Sequence, residues 1–320
     1  METGLLIVVG LTALVGGAEL LIRGGSRVAS RLGISPIAVG LTFVSIGTSA
    51  PELAVGIDAG LQGNGGLVVG NIAGTNVVNV LLILGLSAAI RALPLDSVTL
   101  RLDLPMMASA AVILLLLAID GVLSTADGII LLFVAVAYTA LIVKNSKRES
   151  PRVQAEYAEE YTVPAGRLAA TRDVAVLVTG TVVIVVGADW LVSGAVDLAV
   201  ALDVSNALIG LTVVAIGTSA PELATTIVST IRGDRDIAIG NLIGSSVYNI
   251  GLILGTTAVV VPGRFDLSAP LTYVDIPIMT GVALLCVPMF VVGAKITRTE
   301  GVACVAAYGV YLAYLVFLRT

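Results

Sequence analysis

The chain has 320 residues, of which 57% are hydrophobic and 12% charged, with a mean hydropathy of +1.05 and a formal net charge of −5. A soluble domain carries about 25% charged residues, so this composition excludes one and points to the lipid bilayer. There is no histidine, and the two cysteines, Cys286 and Cys304, lie in apolar runs without CxxC spacing; neither a zinc site, a disulfide framework nor a histidine-based hydrolytic triad is indicated, and nucleic acid is not an expected partner.

A helix needs about 20 mostly apolar residues to cross the hydrocarbon. Ten segments qualify: 4–31, 35–60, 67–90, 104–120, 128–143, 173–200, 205–231, 237–260, 270–293 and 301–318. The opening METGLLIVVGLTALVGG has no basic leader and runs on into membrane sequence, so a cleaved signal peptide is not expected. Residues 144–172 form the long polar stretch, a linker between two sets of five spans. With ten crossings, of 17 lysines and arginines only Arg264 and Arg319 fall on the side opposite the linker. The expected topology is therefore a multi-pass cell-membrane protein with a cytoplasmic linker and both termini extracellular.

GLTFVSIGTSAPELA at 40–54 returns as GLTVVAIGTSAPELA at 210–224, part of an ungapped offset of 170 residues. Gly10, Gly17 and Gly24 match Gly180, Gly187 and Gly194; Gly70, Asn71, Gly74 and Asn79 match Gly240, Asn241, Gly244 and Asn249; LILG at 82–85 recurs at 252–255. Shared apolar composition cannot produce repeated Asn, Pro and Glu, so the halves are expected to be duplicates. Five spans per copy turns the second upside down. The expected fold is all-α, with ten transmembrane helices as two inverted five-helix repeats, residues 1–143 and 173–320, and broken helices 2 and 7. In that architecture the site lies near the midplane.

The second segment opens with Ser35-Pro36, a hydroxyl N-cap and a first-turn proline. Pro51 then falls mid-span, where a proline offers no N–H and crowds the carbonyl four residues back, so the helix is expected to break around Gly47 and Thr48. Carbonyls freed in hydrocarbon must be satisfied by protein, water or an ion. Pro221 repeats this beside Gly217 and Thr218. Glu52 and Glu222 follow directly, and an intramembrane carboxylate is functional by default, the alternative being a hydrogen-bonded structural acid. Two inverted breaks would gather both carboxylates, main-chain oxygens and the hydroxyls of Thr48, Ser49, Thr218 and Ser219 into an oxygen cage. Calcium, with six to eight flexible oxygens, fits better than magnesium; sodium suits such oxygens too.

Asn71, Thr75 and Asn79 share one helical face, repeated by Asn241, Ser245 and Asn249. Asn79 and Asn249 read as cavity wall, or else as glue between helices; Asn71 and Asn241, farther from the centre, read mainly as glue. The rows Gly10/Gly17/Gly24 and Gly180/Gly187/Gly194 give segments one and six smooth stripes, either for sliding against the rest or for tight static packing. Glu19 and Asp189 match across the repeat as polar-contact or pathway residues, while Asp58, Asp120, Asp127 and Asp275 read as solvated span ends.

GTSAPE paired with GN-x-x-G-[ST]-x-x-x-N, present twice, resembles the cation/calcium antiporter superfamily, sodium/calcium exchanger type. The resemblance implies calcium binding by Glu52 and Glu222 with main-chain oxygens at Thr48 and Thr218. It implies sodium sites using Ser49, Ser219, Thr75, Ser245 and backbone near Ser45 and Ala215, with Asn79 and Asn249 lining the same cavity. Some relatives carry an acid at one of these last two positions. Here both are amides, which leaves the negative charge to the two glutamates and leaves sodium, protons or potassium open as counter-ion. The expected function is exchange of calcium for sodium by alternating access; a proton- or potassium-coupled calcium exchanger or a monovalent cation exchanger is the alternative. No enzyme activity and no cofactor are expected; the partners are calcium, sodium and lipid, and the working unit a monomer. An intramembrane protease lacks its residues, since all three lysines sit at the cytoplasmic edge, and two acids in the breaks argue against an anion carrier.

Overall fold

A computed structural model describes residues 2–32, 36–94, 99–146, 166–201, 215–291 and 295–318. The Ser35 cap, most of the linker, the start of the seventh segment and Arg319 lie outside the described residues. Almost everything described is helical, and seven helices are long and apolar enough to cross a membrane: Thr3–Leu32, Gly65–Ile90, Thr125–Asn145, Leu168–Leu198, Ile237–Val260, Leu271–Phe290 and Arg298–Phe317. The interrupted pair Gly40–Thr48 and Ala50–Leu61 makes an eighth when counted as one span. Of the other two expected spans, Leu104–Leu117 is a 14-residue α-helix, too short by itself, entered through a π-helical turn at Thr99–Asp103. Only the second part of the other, from Ala215 on, is described.

Two features were not legible. The helices contain π turns at Gly40–Val44, Val78–Leu84, Thr99–Asp103, Asn249–Leu254 and Leu271–Asp275. Two small antiparallel ladders also occur, Leu93–Pro94 with Lys295–Ile296 and Val122–Leu123 with Phe265–Asp266.

The chain divides by its contacts into two units that each draw on both halves of the sequence. The first comprises residues 1–48, 140–241 and 309–320. Its centre is the antiparallel pair Glu2–Leu32 and Arg167–Ala201, whose glycine rows face one another. A Cβ on Gly10 would sit 2.8 Å from the Gly187 carbonyl oxygen, one on Gly17 2.7 Å from the Ile184 nitrogen, and one on Gly180 2.4 Å from the Leu21 nitrogen. The rows therefore form the close contact within the pair, as the packing alternative expects. Leu21, Ala29, Val39, Val44, Leu177 and Ile184 form the core beside this contact, and Ala224 and Val228 of the Ala220–Arg232 helix pack on it.

Charge fixes the same elements. Asp173, 4% exposed, accepts from Arg31 Nε at 2.6 Å and faces Arg27 Nη1 at 3.6 Å. Glu19 pairs with Arg23 on its own helix and with Arg232. Asp173→Asn is expected to lower unfolding stability by about 1–3 kcal/mol, because it strips a charge-assisted hydrogen bond from a partly buried guanidinium. Glu19→Gln, in a more exposed pair, should cost no more than about 1 kcal/mol and fade with added salt. Thermal unfolding in detergent at low and high salt checks the contrast; equal, salt-sensitive losses would refute it.

The second unit comprises residues 49–139 and 242–308. Small residues again set its close approaches: a Cβ on Gly251 would lie 2.9 Å from Ala135 Cβ, and one on Gly301 2.6 Å from the Ala89 nitrogen. Positions 170 residues apart meet here, Asn76 Nδ2 donating to the Ser246 carbonyl at 3.3 Å. Asp103 accepts from the Tyr138 hydroxyl at 3.3 Å. Asp275, read from the sequence as a solvated span end, is instead buried by the protein, in the π turn Leu271–Asp275 that opens its helix.

Candidate functional site

Both repeats of the GTSAPE motif build one local structure. A helix stops at Thr48, Ser49 takes φ −83° and ψ 9°, and a new helix starts at Ala50 with Pro51 in its first turn and Glu52 directly after it. In the first unit the helix Ala215–Thr218 stops, Ser219 takes φ −85° and ψ 7°, and Ala220–Arg232 begins with Pro221 and Glu222 in its first turn. This amends the expected break. The prolines do not kink a continuous helix from inside; each occupies the start of a fresh one, where its missing N–H costs nothing. Each glutamate therefore sits at a helix N-terminus, the end of the macrodipole that favours negative charge. Ser49 and Ser219 stand at the N-cap positions, and neither side chain caps the helix that follows.

Burial sorts the remaining candidates. Glu52, Glu222, Ser45, Thr48, Ser49, Ser219, Ser245, Asn79 and Asn249 have no exposed surface, Thr75 has 3%, and Thr218 is half-buried. Ala215 begins its helix. The first unit holds Ser45, Thr48, Ala215, Thr218, Ser219 and Glu222; the second holds Ser49, Glu52, Thr75, Asn79, Ser245 and Asn249. One glutamate thus belongs to each. Among the described residues no cluster of three acidic or cysteine side chains forms a ready-made metal centre.

In the first unit a hydrogen-bonded node forms around Asn241. Its Oδ1 accepts from Thr48 Oγ1 at 3.2 Å, its carbonyl from Ser45 Oγ at 3.0 Å, and its Nδ2 donates to Thr226 Oγ1 at 3.4 Å. The reading of Asn241 as glue agrees with this. Ser45 Oγ can also donate to the Gly40 carbonyl at 2.6 Å, five residues back, as the π register dictates.

In the second unit Asn79 and Asn249 lie at the starts of the π segments Val78–Leu84 and Asn249–Leu254. Neither amide group has a partner among the described residues, nor does the Ser245 hydroxyl. Buried amides without partners are costly, and π turns recur at functional sites; together they mark these two positions more firmly than helical periodicity does. Asn76, by contrast, is used structurally. A cavity of about 10 Å³ beside Asn76, Met107, Ser246 and Met279 has room for a single water.

Sequence reasoning missed one polar group. Thr225, Thr226, Ser229 and Thr230, on the helix after Glu222, are completely buried. Their signal was the departure of TTIVST at 225–230 from VGIDAG at 55–60 immediately after identical APELA.

Comparison with known proteins follows the same lines. The family model described as sodium/calcium exchanger protein matches residues 3–144 and 173–317, leaving out the linker. The inner membrane protein YrbG of Escherichia coli is 39% identical over 84% of this chain and 82% of its own length. The sodium/calcium exchanger MaX1 of Methanosarcina acetivorans is 29% identical over 98% of both chains. A solved structure of the sodium-calcium exchanger NCX_Mj superposes with a TM-score of 0.84 at 28% identity, covering 98% of this chain and 99% of that one. The fold is that of NCX_Mj, and the apolar helices make this a multi-pass membrane protein. Matched on both sides of the linker, the chain belongs to the sodium/calcium exchanger protein family.

Proposed function

We propose that the protein exchanges calcium for sodium by alternating access, at a midplane site to which Glu52 and Glu222 both contribute. Oxygens of Ser45, Thr48, Ser49, Thr75, Ala215, Thr218, Ser219 and Ser245 complete the ligand set, and Asn79 and Asn249 line it. The observation that carries this reading is the twofold occurrence of one device: a fully buried glutamate in the first turn of a helix that restarts at an uncapping serine. A carboxylate held out of water needs a compensating charge. One calcium, two sodium ions or protons can each supply it, and competition for the same oxygens makes the cycle an exchange.

Ten spans in two inverted repeats, residues 1–143 and 173–320, belong to the same proposal, with both termini outside, the linker in the cytoplasm and a monomer as the working unit. The contact of Asn76 with Ser246, 170 residues on, and the paired π turns at Asn79 and Asn249 support the duplication. The two amides keep a second reading open, since some relatives are named sodium/potassium/calcium exchangers. Calcium uptake into proteoliposomes driven by an outward sodium gradient is the test, with potassium-only and proton gradients as comparison arms. Uptake driven by protons alone, with sodium inert, would replace sodium as counter-ion; no calcium uptake under any gradient refutes the proposal.

A further inference from the structure

Beyond Glu222 the Ala220–Arg232 helix carries a hydroxyl stripe that the ion site does not use. Thr225, Thr226, Ser229 and Thr230 follow Glu222 at three, four, seven and eight residues, hence on one face. It is the face turned away from Ala224 and Val228, which pack into the apolar core. All four side chains are fully buried. Thr226 receives Asn241 Nδ2, whereas the hydroxyls of Thr225, Ser229 and Thr230 have no partner among the described residues.

Helical hydroxyls here ordinarily close onto the carbonyl four residues back: Thr42 at 2.6 Å, Thr139 at 2.8 Å, Thr181 at 3.1 Å, Thr257 at 2.8 Å and Thr280 at 2.9 Å. The stripe does not do this. Nor is it a legacy of duplication, because the matching positions after Glu52 are Val55, Gly56, Ala59 and Gly60. There the space is filled: a Cβ on Gly56 would meet Thr257 Oγ1 at 3.1 Å, and one on Gly60 would meet Val261 Cγ2 at 2.8 Å. One arm of the repeat is close-packed, and the other carries three buried hydroxyls without a partner among the described residues.

We infer that Thr225, Ser229 and Thr230 line the passage by which alkali and alkaline-earth cations travel between Glu222 and the linker-side face of the membrane. This rests on the exchanger reading and adds a route to it. From Glu222 to Thr230 the stripe runs about 12 Å at 1.5 Å per residue, most of the roughly 15 Å from midplane to the edge of the hydrocarbon. It ends where Arg232 and left-handed Gly233, φ 92°, close the helix. Neutral hydroxyls replace part of a hard cation's water without holding it as a carboxylate does, so the ion can enter and leave.

Cysteine accessibility tests the route. The full-length variants Thr225→Cys and Ser229→Cys, reconstituted with known sidedness, are treated with 2-(trimethylammonio)ethyl methanethiosulfonate, a small, permanently cationic thiol reagent that does not cross the bilayer. The unmodified protein is the blank, since Cys286 and Cys304 are buried. Reagent on the linker side is expected to add one trimethylammonioethylthio group, read in the intact mass, and to stop calcium flux. Reagent on the opposite side, or Ala59→Cys treated from the linker side, should give no mass increase. Resistance of both stripe cysteines to linker-side reagent during exchange overturns the inference. So does unchanged flux in Thr225→Val/Ser229→Ala/Thr230→Val, whose expected result is slowed flux with calcium binding retained. Glu222→Gln separates the two levels: if that variant still transports calcium the site proposal fails, whatever the labelling pattern shows of the route.

Discussion

Glu222→Gln and Glu52→Gln are each expected to abolish sodium-driven calcium uptake while leaving the protein folded. Glutamine keeps the shape and one oxygen, so what is removed is a negative charge. At an effective dielectric of about 20, a carboxylate about 4 Å from a monovalent cation is worth about 4 kcal/mol and from a divalent one about 8 kcal/mol, so calcium affinity is expected to fall by at least about a thousandfold. Sodium carries half the charge and is expected to lose less, so residual sodium exchange can outlast calcium transport in the single variants. Stability should move the other way. Neither carboxylate has exposed surface, and glutamine keeps the volume and hydrogen-bonding capacity of the side chain while removing the desolvation cost of its charged form. The unfolding temperature is therefore expected to stay level or rise as calcium uptake disappears. A variant that lost transport and melted early would point to a structural acid; one that kept transport would remove the glutamate from the site.

Much of this device was legible because proline and glutamate are conspicuous in hydrocarbon. Pro51 and Pro221 announced the breaks by chemistry that needs no tertiary context. Their position at the start of the next helix was less visible, since a missing N–H is equally compatible with a kink and with a restart. The π turns at Asn79 and Asn249 were not legible at all. An extra residue in a turn is selected by how neighbouring helices pack, and LILG at 82–85 reads the same in either register. The ladders of two residues each fall below any strand pattern. Asp275 shows the converse: a carboxylate near a predicted boundary is assigned to water by hydropathy, yet packing buries it.

The hydroxyl stripe was hidden for a different reason. Thr and Ser are tolerated in membrane helices because they usually bond back to their own backbone, so a run of them carries no meaning until the partners are seen. The structure separates Thr257 and Thr280, which do so, from Thr225 and Thr230, which do not. The glycine rows posed the same ambiguity. Small residues permit close approach to any helix, and sequence cannot say which.

Gly17→Leu is expected to be severely destabilising, and its neighbour Gly16 supplies the control. A Cβ on Gly17 would stand 2.7 Å from the Ile184 nitrogen and 3.1 Å from the Gly180 carbonyl oxygen, both backbone atoms that no rotamer change can move. Around Gly16 nothing lies within 4 Å. Gly16→Ala should therefore stabilise by about 0.5–1 kcal/mol, the helix-propensity gain, while Gly17→Ala should cost about 1–3 kcal/mol by overpacking. Leucine at 17 adds three further carbons to that clash and is expected to separate the pair, seen as a collapse of unfolding temperature in detergent; equal melting of the Gly16 and Gly17 variants would sink the argument. Gly180→Ala clashes from the other side, 2.4 Å from the Leu21 nitrogen and 3.0 Å from the Gly17 carbonyl oxygen. Because Gly17 and Gly180 face each other, the double alanine variant should lose less than the sum of the single losses: once one Cβ has pushed the helices apart, the second finds room already made. Asp173 with Arg27 and Arg31 ties the same two helices near one end. Any motion that switches access is thereby expected to carry the two helices as one body, so that non-additivity between Gly17 and Gly180 appears in exchange rate as well as in stability.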